Sequence, residues 1–461
     1  MHMMISRTLS IRALLFLGLC QAGRRSLASA PERRDPPKRI AVVGAGIGGT
    51  ATAYFLRQEF GAAVKIDVFE PGTVGGRLAT QNIGDYEYET GGAVIHPLNL
   101  HMKHFLERLG LSQRRDVPGK MAIFDGKELI FEESDWFIGN FLRLLWRYGF
   151  NFLRMQMWVE SVLDKFMRIY QYQQFGYSFT SVEKLLHAMG GDDFLTLANQ
   201  TLEEAMLGEG FSQSFLNDVV APVTRVNYGQ SVRINGFVGT TASLYEVNYV
   251  GDSGSAHSLY DIVIVATPLH QGKSDITFAG FSPPIPSQYP GRYHQTVTTL
   301  VHGLLNVSYL GTSEKPSTFS VSEVLTTDTK GSIINSLSSI DPVHIPPGYS
   351  RPPASESKVW KVFSPQPLSQ EHLQDMFLSW DSISETKWLA YPAYSPPHRR
   401  TPPFILHERL YYLNAVEWAA SAMEMSAISA RNLALLAHHR WNSQVGRIDQ
   451  EDLHTRLRGE L

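Results

Sequence analysis

The chain has 461 residues, 43% hydrophobic and 18% charged, enough to bury a large core and to form two or more domains. Forty-one Lys and Arg against 44 Asp and Glu leave a net charge of −3, which argues against a nucleic-acid partner, because duplex phosphates demand a concentrated positive field. Its one cysteine, Cys20, lies near the N-terminus, so a chain processed beyond it has no disulfide, cysteine metal site, catalytic thiol or cysteinyl flavin link, and no metal site is expected.

Residues 1–30 carry Arg7 and Arg12, an apolar run from Ala13 to Cys20, and the small residues Ala28-Ser29-Ala30. This is the expected layout of a cleaved secretory signal. A mitochondrial presequence is the rival, on Arg24, Arg25, the frequent Ser and the lack of an acid before Glu32. Asn199 and Asn306 head Asn-x-Thr and Asn-x-Ser triplets, glycosylation acceptors that favour the secretory reading. Residues 31–38 form a polar, Pro-rich lead-in.

The next stretch carries the strongest signal. An apolar run from Ile40 to Val43 feeds Gly44-x-Gly46-x-x-Gly49, a helix is predicted to follow, and a second apolar run, Val64 to Phe69, ends on Glu70. This is the opening βαβ of a Rossmann dinucleotide-binding domain, so the fold class is α/β. Gly44 permits the tight turn, Gly46 leaves room for a pyrophosphate at the positive helix end, and Gly49 lets helix and strand pack closely. Glu70 is placed to accept hydrogen bonds from the adenosine ribose and disfavours a ribose phosphate, leaving FAD or NAD. Gly75-Gly76-Arg77 follows at once and selects FAD, whose extended ribityl chain and pyrophosphate need a close backbone and a cation.

Helices are predicted over 99–111 and, as one long run, over 136–172, where Phe152, Met155, Trp158, Val159, Val162, Phe166, Ile169 and Tyr170 form a stripe at spacings of three and four. Asp164 and Arg168 are expected to pair on its solvent face. Its first half mixes aromatics with Arg143, Arg147 and Arg154. Three arginines exclude a membrane span but leave two readings, a buried helix in a mixed core, which is the default, and an interfacial helix in peripheral contact with lipid or lipoprotein. From Val226 turns and strands are predicted, with a buried strand over 260–268 returning to the parallel sheet. Loops are expected at 281–290 and 341–354, a short strand at 409–413 and an Ala-rich buried helix at 419–440.

Taken together the chain resembles the prenylcysteine oxidase and prenylcysteine oxidase-like family, through Gly75-Gly-Arg-Leu-Ala-Thr80, Val94-Ile-His-Pro-Leu-Asn-Leu-His-Met102, Trp158-Val-Glu-Ser-Val-Leu-Asp-Lys-Phe-Met-Arg-Ile-Tyr170, Val226-Asn-Tyr-Gly-Gln230 and Tyr411-Tyr-Leu-Asn-Ala-Val-Glu-Trp-Ala-Ala-Ser421. The resemblance implies a two-domain flavin oxidase fold, a Rossmann-type FAD-binding domain with an interleaved α+β substrate domain. Its division would be a signal at 1–30, the FAD domain at 38–98, 226–270 and 405–445, the substrate domain at 99–225 and 271–404, and a tail at 446–461. It implies a lysosomal FAD-dependent thioether oxidase that converts farnesyl- or geranylgeranyl-cysteine, with O2 and water, into cysteine, a prenyl aldehyde and hydrogen peroxide.

The resemblance also implies that Gly91 and Gly92 approach the flavin ring, that residues 410–421 close over it, and that Glu417 lies on the ribityl chain or pyrophosphate. His96 and Tyr394 are candidates for ordering the water or the cysteine head group, and the helix over 155–166 is the candidate wall of an apolar prenyl channel. The chain departs from the family between Gly239 and Leu244, where several tens of residues carrying a second Gly-Gly turn, a helix and a strand behind the adenine are absent. Two alternatives follow: a related flavin amine oxidase, and an impaired or non-enzymatic lipid-binding form.

Overall fold

The computed structural model describes residues 3–6, 35–92, 94–112, 114, 117, 119–241, 258–270, 272–397 and 401–450. Most of the expected signal, Cys20, the junction at Leu244 and the tail beyond 450 lie outside the described residues.

In chain order, β1 (Arg39–Val43), α1 (Ile47–Phe60) and β2 (Lys65–Phe69) form the expected βαβ. A short hairpin (Thr80–Ile83 with Tyr86–Glu89) and a helix (Leu100–Arg108) lead to the hairpin β3 (Lys120–Phe124) and β4 (Leu129–Glu132), then α2 (Phe137–Tyr148) and α3 (Asn151–Phe166). Shorter helices lead on to Thr241. After β5 (Ile262–Val265) come β6 (Tyr293–Leu305), β7 (Val321–Thr326), β8 (Ser336–Ser339), β9 (Lys358–Ser364) and β10 (Phe377–Pro392). The chain closes with β11 (Ile405–His407), β12 (Leu410–Tyr412) and α4 (Met423–Trp441). Met3–Ser6 pairs in parallel with Ile276–Ala279.

Two sheets organise these elements. The first runs β11-β12-β5-β1-β2, parallel from β12 to β2. Its central strands, Ile-Ala-Val-Val and Ile-Val-Ile-Val, are apolar throughout and largely buried, as strands inside a parallel sheet are. The second runs β10-β6-β9-β8-β7-β3-β4 and is antiparallel except between β7 and β3. One face of this sheet presents Val301, Val324, Leu337, Trp360 and Val362 to a core that includes Leu373 and Met376 from the helix Gln370–Met376. Its other face lines the cavity described below.

The long predicted helix is divided. Gly149 stands at φ +59 and ends α2, a conformation that L side chains rarely adopt, and α3 begins two residues later. Arg168 donates to the Met189 carbonyl at 3.1 Å, instead of forming the pair expected with Asp164. The helix Ala221–Tyr228 runs past Val226, and Gly236–Thr241 is helical too, where turns and strands were expected; both pack into the same core as α1, α3 and β1. No helix among the described residues is long and apolar enough to cross a membrane.

Candidate active site

The glycine turn is built as its residues require. Gly44 sits at φ +109, and a Cβ there would lie 2.7 Å from the Ala266 carbonyl oxygen of the strand beside it; one on Gly49 would fall 1.8 Å from the Gly44 oxygen. Gly46 differs: a Cβ would meet nothing nearer than 3.7 Å, so its lack of a side chain serves the cavity and not the fold. The α1 N-terminus that follows has no acid in its first turn, leaving its positive end unopposed.

Glu70 closes the turn from below. Its carboxylate accepts from the Ala45 N–H at 2.9 Å and the Gly72 N–H at 3.0 Å. The second glycine pair is stitched to the first, since the Gly75 N–H donates to the Ala45 carbonyl at 3.0 Å. Gly44, Gly46, Glu70, Gly75, Gly76, Arg77, Gly91 and Gly92 all line one cavity of about 1110 Å³; Gly49 lies behind the wall. The C-terminal segment closes the same cavity with Leu413, Asn414, Ser421 and Ser426, and Leu413 sits so close to Gly48 that a Cβ there would come within 2.7 Å of it.

Glu417 is placed otherwise than expected. It is fully buried behind the wall, where Arg77 donates to both its oxygens, Tyr293 donates at 2.6 Å and Asn414 Nδ2 at 2.7 Å. Burial pushes this carboxyl up, but the Arg77 charge and these hydrogen bonds hold it below the ordinary carboxylate value. Arg77, not Glu417, reaches the cavity, and it also donates to the Ala390 carbonyl at 2.7 Å.

The other candidates need correction. The His96 ring accepts from the Leu98 N–H at 3.2 Å in the loop before a helix, and Tyr394 is buried, donating to the Glu417 carbonyl and accepting from the Ser421 N–H, both at 2.9 Å. Among the described residues neither lines the cavity, nor does any residue of α3, whose Val162 and Phe166 pack into the main core. Asn199 is exposed and Asn306 half-buried, its amide donating to the Asp375 carbonyl at 2.9 Å.

The far half of the cavity is walled by the seven-stranded sheet, with Thr296, Thr298, Glu323, Ser338, Lys361, Phe363 and Trp388. Lys361 Nζ donates to the Gly91 carbonyl at 2.9 Å and so ties that sheet to the glycine pair. Lys273 also lines the cavity, and burial, with Arg77 nearby, pulls its ammonium down to about 7. Sequence reading missed these residues. The one local signal is Lys358-Val-Trp-Lys361-Val-Phe363, two charges inside an otherwise apolar strand.

The cavity exceeds the roughly 300–1,000 Å³ of a pocket for one drug-sized ligand, as a dinucleotide plus a substrate requires. The backbone N–H end of α1, with no acid in its first turn, opens on this cavity beside Gly46. With the open side of Gly46 and the Arg77 cation, this donor set fits FAD.

Comparison with known proteins agrees. A family model described as prenylcysteine lyase matches residues 131–242 and 239–450, and a NAD(P)-binding Rossmann-like model matches 42–109. Prenylcysteine oxidase 1 of Mus musculus is 48% identical over 503 aligned positions, covering 98% of each chain; the Homo sapiens protein is 47% identical, covering 97% of each. Prenylcysteine oxidase 1-like of Homo sapiens is 42% identical over 94% of this chain and 97% of its own. Among solved structures, cyclohexylamine oxidase from Brevibacterium oxydans has a TM-score of 0.53 at 13% identity, covering 88% of this chain and all of its own. A fatty acid isomerase from P. acnes has a TM-score of 0.51 at 13% identity, covering 88% and 99%. Those two show the fold, and the closer relatives together with the family model show the lineage: the chain belongs to the prenylcysteine oxidase family of FAD-dependent oxidoreductases.

Proposed function

We propose that this chain cleaves the thioether of farnesyl- or geranylgeranyl-cysteine, taking up O2 and water and releasing cysteine, the prenyl aldehyde and hydrogen peroxide. The observation that carries this reading is the single cavity running from the dinucleotide turn to the polar face of the seven-stranded sheet. FAD, when bound, supplies the two-electron acceptor for the carbon between sulfur and double bond and returns those electrons to O2. The protein's own part is to hold the pyrophosphate at the α1 N-terminus and Arg77, and to orient the C–H bond beside Gly91 and Gly92. In the test, the flavin-loaded protein given farnesylcysteine should release free thiol and peroxide in equal amounts. Turnover of cyclohexylamine but not farnesylcysteine would favour an amine oxidase; farnesylcysteine binding without peroxide would favour the non-enzymatic form.

Contact with a lipid surface belongs to the same proposal. Trp136 (64% exposed), Trp146 (94%), Phe150 (71%) and Met157 (65%) stand out from α2, α3 and their junctions, and Arg143 is exposed beside them. This departs from the expected buried helix and favours an interfacial one, with apolar rings at the acyl boundary and Arg143 on anionic headgroups. Trp146→Glu should abolish co-flotation with anionic vesicles; unchanged flotation would refute this contact. A secretory route to the lysosome is also proposed, supported by the exposed Asn199 acceptor; an unglycosylated protein in a mitochondrial fraction would overturn it.

A further inference from the structure

The sheet register places three polar side chains in a row. Glu323 on β7 lies directly opposite Ser338 on β8, which lies opposite Lys361 on β9. Directly opposed residues in antiparallel ladders share a face, and the next row, Val324, Leu337 and Val362, belongs to the apolar core on the other side. All three polar residues line the cavity. With strands about 4.8 Å apart, the Cα atoms of Glu323 and Lys361 are about 10 Å apart, a span their side chains can close over Ser338.

A β-bulge adds to this. The register of β7 against β3 slips between Val321 and Glu323, so Ser322 is the extra residue, and both Ser322 and Glu323 line the cavity. A regular strand would send them to opposite faces. Charges of both signs surround the spot. Arg351 is committed to Asp341, donating from Nε at 3.1 Å and Nη2 at 2.5 Å, and Arg114 donates to the Asp341 and Pro342 carbonyls at 3.0 and 3.2 Å. Glu323 is exposed on the cavity face of the sheet, and the atoms packed around its carboxyl push that group up while Arg351 pulls it back. A carboxylate on the cavity wall with no cation donating to it among the described residues is a natural acceptor for an ammonium group.

We propose that Glu323 is the specificity-determining residue that binds the α-ammonium of the substrate's cysteinyl head, with Ser338 and Lys361 receiving its α-carboxylate. This rests on the prenylcysteine reading above and names the subsite for the amino-acid end. Lys361 sets the direction as well: its Nζ is fixed on the Gly91 carbonyl, so a carboxylate held there leaves the sulfur and the adjoining prenyl carbon beside the Gly91-Gly92 pair.

Binding can be read without turnover, because Trp388 lines the cavity and its fluorescence reports occupancy. Farnesylcysteine and N-acetyl-farnesylcysteine, which lacks the ammonium, are titrated without O2, where no more than one equivalent per flavin can react, into the flavin-loaded wild type, Glu323→Gln and Glu323→Asp, with thermal midpoints measured alongside. Glu323→Gln should weaken farnesylcysteine by about 30-fold, the scale of one charge-assisted hydrogen bond, and leave the N-acetyl compound within about 3-fold. Glu323→Asp should recover part of the loss. Equal weakening of both ligands, or none, with an unchanged midpoint would overturn the assignment. Absence of peroxide from the wild type alongside the expected binding pattern would sink the oxidase reading alone.

Discussion

Glu417→Gln tests how the cofactor clamp is built. The substitution keeps the shape and an oxygen for Tyr293 but removes the negative charge facing the Arg77 guanidinium, to which Arg77 donates from both Nη atoms. Arg77 has other acceptors, the Ala390 carbonyl and the Ser421 hydroxyl, but both are neutral. Breaking one side of a buried ion pair costs about 3–5 kcal/mol when the remaining charge is fully desolvated; Arg77, 30% exposed on the cavity wall, keeps part of its hydration, which brings the cost to about 2–3 kcal/mol. Urea unfolding should therefore show a loss of that size, and Arg77→Met in the same background should return at least half of it by removing the stranded cation. FAD content, read from visible absorbance, separates the roles. If Glu417 acts only by holding Arg77, Glu417→Gln lowers FAD affinity about tenfold in the parent and not at all once Arg77 is Met. An unfolding free energy within about 1 kcal/mol of the parent, or the same FAD loss in both backgrounds, would refute the indirect role.

Gly46→Leu and Gly49→Ala should part company: the first fills open cavity and should abolish FAD binding while the apo-protein unfolds within about 1 kcal/mol of the parent, whereas the second drives a Cβ to 1.8 Å from the Gly44 oxygen and should prevent stable folding. Equal stability of the two variants would contradict the geometry. Burial pulls both His101 and His439 down to about 4, against an unfolded value near 6.5, so the native state binds fewer protons than the unfolded chain between those limits. Stability should fall as pH drops from about 6.5 to 4, by up to about 1.4 kcal/mol per pH unit for each histidine, and the slope should lessen in His101→Gln/His439→Gln; a flat profile for the parent would count against both shifts.

What could be read from the chain divides by the range of the interaction. The turn at Gly44, the acid at Glu70 and the glycine pair with Arg77 lie within 34 residues of one another, and each role follows from backbone geometry that a local pattern encodes. Lys361, Glu323 and Ser338 meet only because three strands pair in one register, which no local pattern fixes. The stripe in α3 shows the opposite limit. Its period identified a buried face but not what that face is buried against, and the partner is the main core, not the cavity. Gly149 is a C-cap signal of the ordinary kind, yet apolar residues on both sides carry the helical period across it.

The missing segment can now be located in physical terms. The prenylcysteine lyase match breaks between 239 and 242, and alignment to the Mus musculus relative takes 503 positions for a chain of 461 residues, so the relatives carry residues here that this chain does not. Among the described residues β2 is paired on one side only, to β1, and its outward strand is poorly covered, with Val68 42% exposed. A strand and helix laid along that edge would cover it and back the loop that holds Glu70. Glu70 is meanwhile fixed from the inside, by the Ala45 and Gly72 N–H groups, and Arg77 by Glu417. The cavity wall at Gly44, Glu70, Gly75 and Arg77 is thus held by contacts among the described residues, while the edge of β2 stays open among them.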